Sequence, residues 1–167
     1  MIRSLACTTG VPSTTRPTNC SGSTATQPGA YLVVAVIDLD DFKRLNDTHG
    51  HAAGDQALVV TAALQRSCRA TAVIGRAGGE EIVVADIETT PIPSAMAERI
   101  CRAVAALPFE ITASIGTSSV PLDAEPLTTA MQLIDDLIRT SDAAMYQTKR
   151  AGGNQARHLS GAVPTPK

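Results

Sequence analysis

Tyr31-Leu-Val-Val-Ala-Val-Ile37 runs without a break into Asp38-Leu-Asp-Asp41, and that junction decides how the chain reads. A continuous apolar, β-branched run with no polar alternation predicts a strand buried on both faces, at the centre of a sheet. Residues two apart on a strand share a face, so Asp38 and Asp40 emerge together at its end. A carboxylate at the end of an apolar strand is costly unless it is hydrated, paired or bound to metal.

Downstream of this strand the pattern predicts a short helical stretch over about 41–46 and a loop at Asp47-Thr-His-Gly-His51. Gly54-Asp55 opens a helix with Asp55 as its cap and Leu58, Val59, Ala62 and Ala63 as its apolar stripe, ending near Arg69. Residues 72–76 and 81–87 read as strands, with Gly78-Gly79 between them as a tight hairpin. An amphipathic helix over 94–107 follows Pro93, and a strand covers 111–120. A long helix over 128–151 is stopped by Gly152-Gly153, and 154–160 reads as an edge strand. This order predicts an α+β fold: a central mixed, mainly antiparallel sheet flanked by helices. One domain is expected over 31–160. Residues 1–30, rich in Thr, Ser, Pro and Gly, read as a flexible arm, and 161–167 as a disordered tail.

Composition narrows the function classes. Hydrophobic residues make up 44% of the 167, enough for one full core, but aromatics are only 2% and Trp is absent, so that core is aliphatic. A net charge of -2 without a basic run argues against a nucleic-acid partner. Cys7, Cys20, Cys68 and Cys101 lack C-x-x-C spacing, which disfavours a zinc site or disulfide framework and fits reduced thiols in the cytoplasm. No stretch has the length of a signal-peptide core or a membrane span.

The chemistry lies in the acids. Glu80 and Glu81 open a strand just after the glycine pair. If that strand pairs with the first, three or four carboxylates gather at one edge, where they repel one another and attract a hard divalent cation. Read alone, the D-x-D is a pair of surface acids and the Gly-Gly an ordinary hairpin; their joint occurrence carries the weight.

Asp38-Leu-Asp-Asp-Phe-Lys-Arg-Leu-Asn-Asp-Thr-His-Gly-His-Ala-Ala-Gly-Asp55 resembles the first signature of the GGDEF family of diguanylate cyclases. Arg76-Ala-Gly-Gly-Glu-Glu-Ile82 is similar to its naming motif in the GGEEF form, and Ser114-Ile-Gly116, Asp142–Lys149 and Gly152-Gly-Asn154 resemble its later blocks. The resemblance implies a nucleotide-cyclase, polymerase-palm-like fold and the joining of two GTP into cyclic di-GMP with Mg²⁺ (or Mn²⁺). It implies that Asp38, Glu80 and the Leu39 carbonyl hold metal, with Glu81 next to the reacting hydroxyl. Asn46 and Asp55 match guanine-binding positions, and Lys43 and Lys149, two of three lysines in the chain, match phosphate contacts. Gly78 and Gly79 would let the backbone approach the phosphates, as glycine does in many phosphate sites. Phe42 lies within the substrate-binding block, although its own chemistry favours packing over base stacking. The family acts as a homodimer, usually under a sensor or receiver domain elsewhere.

The sequence also departs from the family. An aromatic residue before the glycines is Ala77, and the final Phe is Ile82. The Arg of G-R-N is Gly153, which predicts weaker GTP binding. The product-inhibition motif R-x-x-D reads Arg69-Ala-Thr-Ala72, which predicts little product inhibition. The helix that precedes the first strand in the family is not legible before Tyr31. Two readings follow: an active diguanylate cyclase, or a degenerate domain that binds GTP and regulates a partner without turnover.

Overall fold

The computed structural model describes residues 29–44, 53–108, 110–123 and 129–160; for 53–58 it describes the helix and not the side chains. The apolar run at the start of the domain forms β1 (Tyr31–Asp40), three residues longer than its apolar part because the strand carries Asp38 and Asp40 as well. α1 (Ala53–Ser67) leads into the hairpin of β2 (Val73–Gly78) and β3 (Glu81–Glu88). Then come α2 (Ser94–Ala105), β4 (Thr112–Pro121), α3 (Ala130–Arg150) and the short β5 (Gln155–His158).

The sheet order is β2-β3-β1-β4-β5. β1 is therefore central, antiparallel to both β3 and β4, which explains its lack of polar alternation. The β4–β5 pair is parallel, with α3 as the crossover between them, so the sheet is mixed and mainly antiparallel.

Strand alternation sends Val33, Ala35, Ile37 and Leu39 of β1 to one face, where they pack with Val60 and Leu64 of α1 and Met96, Ile100 and Val104 of α2. The opposite face carries α3, with Val34, Val120 and Leu137 at its centre. Contact there is close because β4 is built from small residues. Gly116 lies under α3, and a Cβ at that position would stand 1.9 Å from the Ser141 carbonyl oxygen. Hydroxyls fill the rest: Ser118 bonds both the Leu137 carbonyl and Ser141, and Ser141 donates to the Val34 carbonyl.

α3 begins with a reciprocal cap between Thr129 and Gln132, and ends at Gly152 and Gly153, both at positive φ. That ending returns the chain to the end of β1, where the acids are.

Candidate active site

Asp38 is the buried member of the acidic group, 3% exposed at the end of β1. Register places it opposite Glu81 on β3 and Ser114 on β4. Like charges facing one another across a ladder are unfavourable. The offsetting charge comes from the last turn of α3, where Lys149 Nζ stands 2.6 Å from Asp38 Oδ1, off the direction of a regular hydrogen bond. Burial pushes the Asp38 carboxyl above its usual range; the Lys149 contact opposes this, and the charges of Glu80 and Asp40 add to it.

The Asp40 carboxylate accepts from Thr112 Oγ1 at 2.6 Å, Ser114 Oγ at 2.7 Å and the Asn154 backbone N–H at 3.0 Å. The acids do meet at one edge, but the Asp40 carboxylate is engaged there as a clamp between β1, β4 and the turn after α3. Gly153 stands at the family's Arg position with φ +72, and a Cβ there would meet the Asp40 carboxylate at 3.0 Å. Sequence reasoning missed this clamp. The available signal was the run of small residues at alternate positions of β4: Thr112, Ser114, Gly116 and Ser118 share its α3 face.

The glycine hairpin also differs from the expectation. Gly78 pairs with Glu81, so the two turn residues are Gly79 and Glu80, one position further on than the glycine pair. Glu80 is thus a turn residue and not the start of β3. Ala77 is skipped by the pairing between Arg76 and Gly78, a bulge at the position where the family has its aromatic residue. Only Gly79 of the pair takes positive φ, at +33. Arg76 ties the turn down by donating from Nε and a terminal nitrogen to the Gly79 carbonyl, at 2.9 and 2.6 Å.

Leu39, Phe42, Gly79, Glu80 and Ile82 line one narrow cleft behind the hairpin. Phe42 is buried and packs in the α1–α2 core, with part of its ring lining this cleft beside Gly79 and Glu80. Leu39 sends its side chain into the same core. Lys43 is exposed just beyond β1. Asn46 and the side chain of Asp55 lie outside the described residues, Asp55 itself being in the first turn of α1.

Arg69 is engaged elsewhere. Its guanidinium donates to Glu88 Oε2 at 2.7 Å and to the Ile87 carbonyl at 3.0 Å. Where the inhibition motif would supply an Asp at position 72, this chain pairs the arginine with Glu88.

The donors at the end of β1 suit a hard cation. Asp38 Oδ1 is buried without a regular hydrogen bond, the Leu39 carbonyl follows it, and Glu80 is one residue beyond the Asp38–Glu81 register pair. Among the described residues no three acidic, His or Cys side chains form a ready-made cage. Mg²⁺ is commonly held by one or two carboxylates with the rest of its shell left to water and phosphate oxygens.

Solved structures set the class first. The chain superposes on the GGDEF domain of DgcB from Caulobacter crescentus, solved with c-di-GMP, at TM-score 0.64 and 28% identity over 81% of each chain. It superposes on the active GGEEF domain of a diguanylate cyclase from Vibrio cholerae at TM-score 0.63 and 32% identity, covering 77% of this chain and 82% of that one. The fold is that of a GGDEF cyclase domain. The family model for the diguanylate cyclase GGDEF domain matches residues 19–155, and the chain belongs to that family. A curated relative, the probable diguanylate cyclase DgcC of Escherichia coli, is 36% identical over 123 residues. That match takes in 72% of this chain and 33% of DgcC, so the chain spans about a third of that relative's length.

Proposed function

We propose that this domain condenses two GTP into cyclic di-GMP and two pyrophosphates between two copies of the chain, with Mg²⁺ or Mn²⁺. One observation carries the reading: a buried carboxylate, Asp38, stands in register with the Glu80-Glu81 hairpin and against the Lys149 ammonium, in a member of the GGDEF family.

Asp38, Glu80 and the Leu39 carbonyl hold the cation. When bound, it acidifies the attacking 3′-hydroxyl and stabilises charge on the α-phosphate and the departing pyrophosphate. Glu81 lies beside that hydroxyl. Gly78 and Gly79 give the phosphates access to the hairpin backbone, and Lys43 and Lys149 neutralise them. Asn46 and Asp55 read the guanine edge; an Asp accepts from N1–H and the 2-amino group, which adenine does not present together, and loss of such a match leaves a buried group unpaired. In each half-reaction the 3′-hydroxyl gives up its proton to solvent, a 3′-O–Pα bond forms, and the bond from Pα to the bridging oxygen breaks to release pyrophosphate. One domain offers one guanine site, so a second copy must bring the other GTP, and positioning is the main catalytic resource.

The input that brings two copies together is assigned to a sensor or receiver domain elsewhere, and the setting to the cytoplasm, where GTP is available. Among the described residues no helix is long and apolar enough to cross a membrane. A second reading, GTP binding without turnover, is favoured by Gly153, which removes a guanidinium from the phosphate side. Incubation with GTP and Mg²⁺ or Mn²⁺ followed by chromatography separates the two. Cyclic di-GMP supports the first reading, and bound but unchanged GTP supports the second.

A further inference from the structure

We propose that the Lys149 ammonium is the resident counter-ion of the metal-free site, and that a divalent cation enters only by displacing it from Asp38. This rests on reading Asp38 as a metal carboxylate.

The Asp38 side chain is 5% exposed, and Oδ1 is closed to solvent. A cation cannot reach that oxygen from water without moving a neighbour, and the neighbour in contact with it is Lys149 Nζ, at 2.6 Å. Mg²⁺ binds carboxylate oxygens at about 2.1 Å, so a cation on the same oxygen would lie at most about 4.7 Å from the ammonium if Lys149 stayed. Two positive groups at that distance in a partly buried site repel strongly. Lys149 is able to leave: its side chain is 38% exposed and it stands in the final turn of α3, next to the Gly152-Gly153 ending. Asp38, by contrast, is fixed in the central strand.

The displaced ammonium needs a new anion, and the phosphates that arrive with a nucleotide-bound cation supply one. The exchange therefore couples metal entry to nucleotide entry. Metal alone must expel the lysine into water, whereas metal with GTP transfers it to phosphate.

The test is binding of Mn²⁺ alone to nucleotide-free protein, followed by the electron paramagnetic resonance signal of free Mn²⁺. Lys149→Met removes the charge and keeps the stem, while Lys149→Arg keeps the charge. Lys149→Met is expected to bind Mn²⁺ about tenfold more tightly than wild type, the scale of one lost repulsive charge in a half-exposed site. Lys149→Arg is expected to stay within about threefold of wild type, since the competing charge remains. Unchanged or weaker binding in Lys149→Met, with Mn²⁺ still lost in Asp38→Ala, would overturn the displacement and leave the metal site standing. Mn²⁺ binding that Asp38→Ala does not alter, with or without GTP, would overturn the metal site as well.

Discussion

Gly116→Ala is the sharpest structural perturbation available in this fold, because the added carbon meets backbone and not a movable side chain. An ideal Cβ would stand 1.9 Å from Ser141 O, 2.2 Å from Met145 N and 2.8 Å from Met145 Cα. Real Cβ contacts stay beyond 3.0 Å, so α3 must withdraw from β4 by about 1 Å. The hydroxyl bonds from Ser141 to Val34 O and Ser118, now 3.0 and 2.8 Å, stretch past useful length. Overpacking costs about 1–3 kcal/mol, and each weakened hydrogen bond about 1 kcal/mol more, giving a loss of about 3–5 kcal/mol. That is a large share of the stability of a domain, which is about 5–15 kcal/mol. Urea unfolding followed by far-ultraviolet circular dichroism suits a chain without Trp, and the midpoint is expected to fall by about 2 M. Gly75→Ala is the matched control: it lies in a strand with nothing within 4 Å of its Cβ position. A Gly116→Ala midpoint within about 0.3 M of the Gly75→Ala value would refute the close approach of α3 to β4.

Asp38→Asn is expected to stabilise the metal-free protein at pH 7, by about 2–4 °C in Tm for each kcal/mol of ionisation penalty removed, while abolishing any cyclase activity. The sign follows from the direction of the shift. The Asp38 carboxyl titrates above 3.8 in the folded state, so the wild type loses stability as pH rises through and above that value. Asn removes the loss; the variant's advantage should vanish near pH 3, and a lower Tm than wild type at pH 7 would show that the Lys149 contact outweighs burial. Gly153→Arg, which restores the family residue, is expected to lower stability by about 1–2 kcal/mol without raising turnover. The position has φ +72 and a Cβ there would sit 3.0 Å from the Asp40 carboxylate. A gain in cyclic di-GMP formation by Gly153→Arg at unchanged Tm would contradict that.

The fold was legible because its strongest signals are local and periodic. β1 announces itself as a two-face-buried strand, and the glycine endings of the hairpin and of α3 are set by backbone conformation. The mixed sheet followed from the element order. What escaped the sequence were contacts between positions far apart in the chain. Asp40 looked like one more metal acid, since nothing local says that Thr112, Ser114 and Asn154 come to it from beyond position 110. Lys149 stood out in the sequence only through the resemblance, and its contact with Asp38 depends on how α3 crosses the sheet. The hairpin turn was misplaced by one residue because a bulge at Ala77 shifts the register, and no pattern in Arg76-Ala-Gly-Gly-Glu reveals a bulge. Arg69 carried its motif signal, but its partner Glu88 lies at the far end of β3.

Cyclic di-GMP formation from GTP and Mg²⁺ by the purified chain, compared side by side with Glu80→Ala, tests the central claim most directly. Product that accumulates with wild type, at a rate per chain that climbs with protein concentration, and that disappears in Glu80→Ala, is the predicted result. Product made equally well by both proteins, or GTP left intact by both across the concentration range, would contradict the assignment of catalysis to the acids at the end of β1 and the hairpin.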